Sequence, residues 1–535
     1  MTHTNRRARA LVALLAICGL LFAACSSGGS DDAEGDTTAT TTGTGSGGAP
    51  DDIDPNGIFK MTYNLVQTGG AAGFTLNPAL ETGDTNDNLL YLIYGRILRP
   101  TPEGSYEPDQ AESTSIPDAN TIKIKLRAGQ TFHDGKPLNA AAVKASLDAS
   151  LASNNQAGLG AGFYNLTSVT ADSDLDLTLT IKDGKAASWH DQFLTSWKTS
   201  VVPQGANFNP PVGAGPYQVT AWNKGQSMTL EKYDGYWDKD SMLVAGIDIT
   251  HFDQGQDASA LAALQAGQVD YTQIDVPQIS SVGGDFELLT VPDPNRLVNL
   301  QICKTDGPLA NKDVRIAMNK AMDREAISEA VYEGTSLPGT QMYPEGHQFY
   351  VPELEDVLAY DPAAAKQLLA DAGYPNGFTF DLYILPALNL PDVAAVYQQQ
   401  LAEIGVTVNL LPTPGIVNDW MVTNKPGMGA IPSITAGVDR LNQWIGDNVA
   451  NVCDYNNPEL TAIRDQLLTV SSTDPKATEL WAEASDIVVN QALSVFVSYS
   501  SRLGAYDKNV VGNPVVYPLG TFPVPDFRYT YVKQQ

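Results

Sequence analysis

TIKIKLRAGQTFHDGKPLNAAAVKASLDASL, residues 121–151, alternates strictly at its start. Ile122, Ile124 and Leu126 fall on one side and Lys123, Lys125 and Arg127 on the other, the period-two pattern of a half-buried strand. Gly129 ends the alternation. His133-Asp134-Gly135-Lys136-Pro137 then reads as a tight turn, because Asp and Gly tolerate turn dihedrals and Pro137 cannot continue a ladder. Asn139 is placed to cap a helix whose apolar residues Val143, Leu147 and Leu151 recur every fourth position. Strand, turn and helix follow in that order.

Outward from this stretch the chain alternates in the same style. Upstream, residues 58–66 read as a strand and 88–98 as a helix, with Leu89, Leu90, Ile93 and Ile97 at helical spacing. Downstream come short strands such as 175–181. The turn Pro211-Val212-Gly213-Ala214-Gly215-Pro216-Tyr217 and a strand over 226–233 follow. Residues 296–303 read as a strand and 313–327 as one long helix. Asp361-Pro362 and Asp474-Pro475 each pair an N-cap with Pro at the first helical position; Gly373 closes the first of these helices, and the second carries Leu480, Ile487 and Val488. A helix over 393–404, a strand over 405–411 and a strand over 494–500 complete a helix–strand alternation that predicts an α/β protein.

A chain of 535 residues is too long for a single hydrophobic core. Its 32 basic against 61 acidic residues leave a net charge of −29, which repels phosphate backbones and anionic headgroups and argues against nucleic acid as a partner. Residues 1–25 read as a secretory signal, with Arg6, Arg7 and Arg9 ahead of an apolar run too short to span a bilayer. Ala23-Ala24-Cys25 resembles a lipobox and makes Cys25 the expected lipidation site, giving an extracytoplasmic protein anchored to the cell membrane by lipid alone. Residues 26–56 contain no aromatic and no basic residue, the composition of a disordered tether. Their formal G-x-G-x-x-G at Gly43, Gly45 and Gly48 lacks the strand and helix that a dinucleotide site needs. Cys303 and Cys453 remain, and outside the cytoplasm are expected to form a disulfide.

Chemistry is sparsely provided. His3, His133, His190, His251 and His347 include no H-E-x-x-H and no pair at metal-ligand spacing, and there is no G-x-S-x-G elbow. No catalytic residue, metal site or cofactor is expected. A cell-surface hydrolase is the rival class, and it lacks a visible nucleophile–base pair. A surface chaperone or sensor on the same scaffold is a third.

The letters carry a resemblance. Leu126-Arg127, Phe132-His133-Asp134-Gly135 and Pro137-Leu138, the Pro211–Tyr217 turn, Tyr233-Asp234-Gly235-Tyr236-Trp237, residues 263–270 (ALQAGQVD) and residues 313–327 together resemble blocks of the extracellular solute-binding proteins of ABC importers, family 5, the dipeptide/oligopeptide-binding type. The resemblance implies a two-lobed periplasmic-binding-protein-like fold (type II, cluster C) with an inserted subdomain in the first lobe. Lobe one is then expected over 57–98, 210–297 and 500–535, the insert over 99–209 and lobe two over 298–499. The implied function is capture of a small solute in an interlobe cleft by a monomer that works with ABC permease and ATPase subunits, a peptide being the first expectation and an aromatic or anionic organic solute the alternative. Ligand contacts are expected from Phe74 and Asn77, and from Trp420, Asp439, Arg440 and Trp444. The family's W-x-x-D-Y has no counterpart in residues 432–437 (PSITAG), so the acid that would meet a peptide amine is missing there and Asp439 is the nearest substitute.

Overall fold

The computed structural model describes residues 50–66, 74–81, 86–101, 105–155, 159–253, 255–303, 306–387, 389–421, 423, 427–433, 437–446, 450–452, 455–517 and 523–535. The decisive stretch folds as expected. Thr121–Leu126 is a strand that buries Ile122, Ile124 and Leu126. Asn139 Oδ1 accepts the Ala142 N–H at 3.0 Å to start the helix Ala140–Ser153, whose Val143 and Leu147 are buried. The strand sits in a four-stranded antiparallel sheet with Ala111–Asp118, Asp176–Ile181 and Leu166–Ala171.

Two larger sheets organise the rest. The seven-stranded sheet runs in the order Phe286–Val291, Arg502–Asp507, Tyr271–Gln273, Ile58–Tyr63, Gly246–His251, Ser227–Lys232 and Tyr217–Asn223. Ile58–Tyr63 is parallel to both of its neighbours. The six-stranded sheet runs Leu337–Pro338, Ser494–Tyr499, Leu297–Cys303, Gly427–Ser433, Thr379–Ile384 and Thr407–Pro412. Each has its own apolar core: Phe59, Met61, Ile247 and Leu230 belong to one, and Leu300, Ile302, Leu382 and Met428 to the other. A chain of this size divides its burial in this way because one core stops growing.

The motifs quoted above converge on one joint. His133 Nδ1 accepts the Gly213 N–H at 3.3 Å while Nε2 faces the Gly215 carbonyl at 3.1 Å, so the ring is held as the neutral Nε2–H tautomer. Gly213 and Gly215 lie against the helix Asp87–Tyr94: a Cβ on Gly215 would come within 2.6 Å of the Leu92 carbonyl, and one on Gly213 would overlap the carbonyl of Ile93. Tyr233 OH donates to the Phe132 carbonyl at 2.7 Å. Tyr236 OH and Trp237 Nε1 both donate to the buried Asp109 carboxylate, at 2.6 and 2.9 Å. Arg127 stacks over Trp237 at 3.6 Å. These residues tie the four-stranded insert to the body of the seven-stranded sheet.

Three elements depart from expectation. The helix expected over 88–98 stops at Tyr94, because Gly95 turns to φ +67°, and Leu98–Pro100 forms a short strand. The single helix expected over 313–327 is two, Lys312–Lys320 and Arg324–Tyr332. Asp323 breaks it by capping the second, its Oδ1 accepting the Ala326 N–H at 2.9 Å. Residues 427–433 (GMGAIPS), part of a poorly periodic stretch over 415–446, form a central strand that pairs with Leu297–Cys303 throughout.

Candidate functional site

The chain crosses between the two large sheets at residues 292–296, between Phe286–Val291 and Leu297–Cys303, and at Ser500-Ser501, between Ser494–Tyr499 and Arg502–Asp507. The crossings are bound to each other. Ser500 N–H donates to the Arg296 carbonyl at 3.1 Å, and Arg502 gives Nε and Nη2 to Asp293 Oδ2 at 3.1 and 2.7 Å. Asp293 is fully buried, and its Oδ1 accepts the Asn295 N–H at 2.9 Å.

A cavity of about 310 Å³ opens beside these crossings. From the seven-stranded body it receives Thr62-Tyr63-Asn64, Asp257 and Gln273 to Val276, which lie at or just past the carboxyl ends of parallel strands or open the following helix. That is where open α/β sheets bind ligands. Arg296, Ser500, Ser501 and Arg502 line it from the crossings, and Tyr332, Thr335, Ala387 and Asn389 from the other body. Among the described residues, its charges are the carboxylates of Asp253, Asp257 and Asp275 and the guanidinium groups of Arg296 and Arg502. Burial raises the pKa of Asp257, and the Asp275 charge adds to it; burial raises that of Asp275 as well, against the pull of Arg296. Burial, and then the neighbouring Arg502, lower that of Arg296.

None of the six residues expected to touch ligand lines this cavity. Half-buried Phe74 packs edge-on against Trp222 at 6.2 Å. Asn77 serves its own turn, Oδ1 accepting the Ala79 N–H at 3.1 Å. Trp420 is fully buried and stacked on Tyr383 at 5.9 Å. A Cβ on Gly429 would penetrate the Trp420 ring, so a glycine strand is what lets the indole lie there. Buried Arg440 donates to the carbonyls of Met342 and, at 2.8 Å, Pro294, with its guanidinium 4.4 Å over the Tyr343 ring. Trp444 donates from Nε1 to Ser494 Oγ at 3.2 Å within an apolar core, and exposed Asp439 accepts from Asn442 Nδ2 at 3.1 Å. Cys303 is buried and disulfide-bonded. Cys453 and Cys25 lie outside the described residues. Arg296, Asp257 and Asp275 escaped sequence reasoning; their one signal is position, just past strands or opening a helix of the α/β pattern.

The two bodies meet a second time, at the insert. On the helix Ala186–Phe193, Asp191 accepts Ser471 Oγ and the Ser472 N–H at 2.7 Å each and Ser472 Oγ at 3.0 Å, between the helices Pro458–Leu467 and Pro475–Asn490. Burial alone would raise the Asp191 pKa, but the hydrogen bonds from His190, Ser471 and Ser472 hold it below the usual carboxylate value. Among the described residues, no cluster of His, Cys, Asp and Glu suits a metal ion, and no helix is long and apolar enough to cross a membrane.

Comparison with known proteins supplies the context. A family model described as bacterial extracellular solute-binding proteins, family 5 (middle), matches residues 105–438. The glutathione-binding protein GsiB of Salmonella typhimurium is 26% identical over 490 residues, covering 84% of this chain and 91% of that protein. GsiB of Pectobacterium atrosepticum is 30% identical over 307 residues, 55% of this chain and 58% of that protein. Among solved structures, the ABC transporter substrate-binding protein CtaP of Listeria monocytogenes is similar with a TM-score of 0.76 and 23% identity, over 90% of this chain and 100% of that one.

Proposed function

The chain belongs to the bacterial extracellular solute-binding proteins of family 5, and we propose that it is the receptor of an ABC importer, holding a peptide or related small solute in the cavity at the crossings and handing it unchanged to a membrane permease. The observation that carries this reading is the cavity's composition: both bodies and both crossings line it, so a ligand there couples to any rotation of one body against the other. Its placed charges on a partly apolar wall suit recognition, and the relatives named for binding glutathione are similar along most of the chain.

In this reading the protein is lipidated at Cys25 and tethered by residues 26–56, with permease and ATPase subunits as its partners. Ligand contact falls in this reading to the cavity residues rather than to Phe74, Asn77, Trp420, Asp439, Arg440 and Trp444. A non-peptide solute is the second reading, favoured by one observation: residues 432–437 offer no acid for a peptide amine. A thermal-shift screen of glutathione, short peptides and aromatic or anionic acids separates the two. At 100-fold excess over Kd a true ligand adds about 2.7 kcal/mol. Stabilisation only by non-peptide solutes rejects the first reading; turnover of a bound solute rejects the receptor role.

A further inference from the structure

One cation in the cavity feels the charges of Asp293 and Asp275 without touching either. Arg296 is half-buried and, among the described residues, its guanidinium makes no direct hydrogen bond or ion pair. The neighbouring carboxylate of Asp293 is already occupied, Oδ2 by Arg502 and Oδ1 by the Asn295 N–H. Arg502 is 8% exposed and lines the same cavity; Asp293 takes its Nε and Nη2, and its buried Nη1 has no partner among the described residues. A buried donor without an acceptor costs stability, and two guanidinium groups side by side repel. One incoming oxyanion would relieve both, and the guanidinium fork is shaped for a carboxylate.

Resting on the receptor reading above, we infer that Arg296 and the Nη1 of Arg502 form an anion subsite in the hinge itself, which takes one carboxylate of the solute. The ring of Asp253, Asp257 and Asp275 around the same cavity narrows the choice. It disfavours a multiply charged group such as phosphate and favours a solute whose remaining polar part is neutral or cationic. The carboxylate would touch both crossings at once, so the same contact that selects the solute bears on the segments that bend.

Calorimetry on the full chain tests it with matched pairs, each short peptide offered as the free acid and as the C-terminal amide, with inorganic phosphate as a further probe. The wild-type protein is expected to bind acids about 10- to 100-fold more tightly than their amides, the loss typical of a charge-assisted hydrogen bond, and to ignore phosphate. Arg296→Gln is expected to bring that ratio close to one, the acid losing far more affinity than the amide, and Arg296→Lys to restore it in part. Equal binding of acid and amide, an unchanged ratio in Arg296→Gln, an equal drop for both forms, or phosphate binding as tight as that of the acids overturns the subsite and leaves the receptor reading standing. No binding by any peptide overturns the peptide reading and the subsite with it.

Discussion

Arg502 donates Nη2 to Asp293 Oδ2 across 2.7 Å, joining the two segments by which the chain passes from one large sheet to the other. Removing one member of a buried pair leaves the other charge uncompensated, at a cost of about 3–5 kcal/mol. Asp293→Asn is therefore expected to lower the urea midpoint substantially, and the double variant Asp293→Leu, Arg502→Met to recover much of that loss. A single variant no less stable than the wild type would refute the account.

Acid should unlock the motif joint. Burial pushes the His133 pKa from 6.5 down to about 4. The folded pKa is the lower one, so the unfolded chain binds a proton that the native chain excludes between those values. Stability is therefore complete above the unfolded pKa and declines as pH falls, by up to about 1.4 kcal/mol per pH unit from this group. Denaturation from pH 7 to 4 measures the slope, and His133→Gln should reduce it; an identical slope in that variant contradicts the buried neutral ring.

Gly429→Ala is expected to destabilise by about 1–3 kcal/mol, since the added methyl meets the face of Trp420, which is itself fully buried. Pairing it with Trp420→Leu should recover part of the loss. Additive losses in the double variant would show that the two do not compete for the same space.

Asp191 links the insert to the far body through Ser471 and Ser472. Asp191→Ala removes charge-assisted hydrogen bonds of about 1.5–3 kcal/mol each before compensation by water. The expected result is a larger radius of gyration in solution scattering and about tenfold weaker solute binding. The Asp191 pKa is depressed in the fold, so the contact is complete above the unfolded value of about 3.9 and is lost as pH falls through the lower folded value. Scattering curves that match the wild type at neutral pH would dismiss the link.

Local chemistry was legible and distant packing was not. Residues 121–151 declare themselves because alternation, turn and cap are set by neighbours in sequence, and Asn139 caps where it should. The break at Asp323 was also local, but the helical letters on both sides masked it. Residues 427–433 have no β-branched pattern, and their strand exists because Leu297–Cys303 supplies a partner and Trp420 a cover. The same limit governs the cavity. Arg440 stands among aromatic letters and reads as a ligand contact; its hydrogen bonds to the carbonyls of Met342 and Pro294, far off in sequence, show only in the folded chain. Arg296 reads as ordinary strand entry, and only the folded chain shows that, among the described residues, its guanidinium has no hydrogen-bond partner.

Among the described residues, every charged group that lines the cavity comes from the seven-stranded body or the crossings, whereas the opposite wall contributes Tyr332, Thr335, Ala387 and Asn389. On the proposed receptor reading the halves divide their labour unequally: one discriminates and the other shuts. A descendant that took up new cargo would need edits on a single bank, and could inherit its door intact.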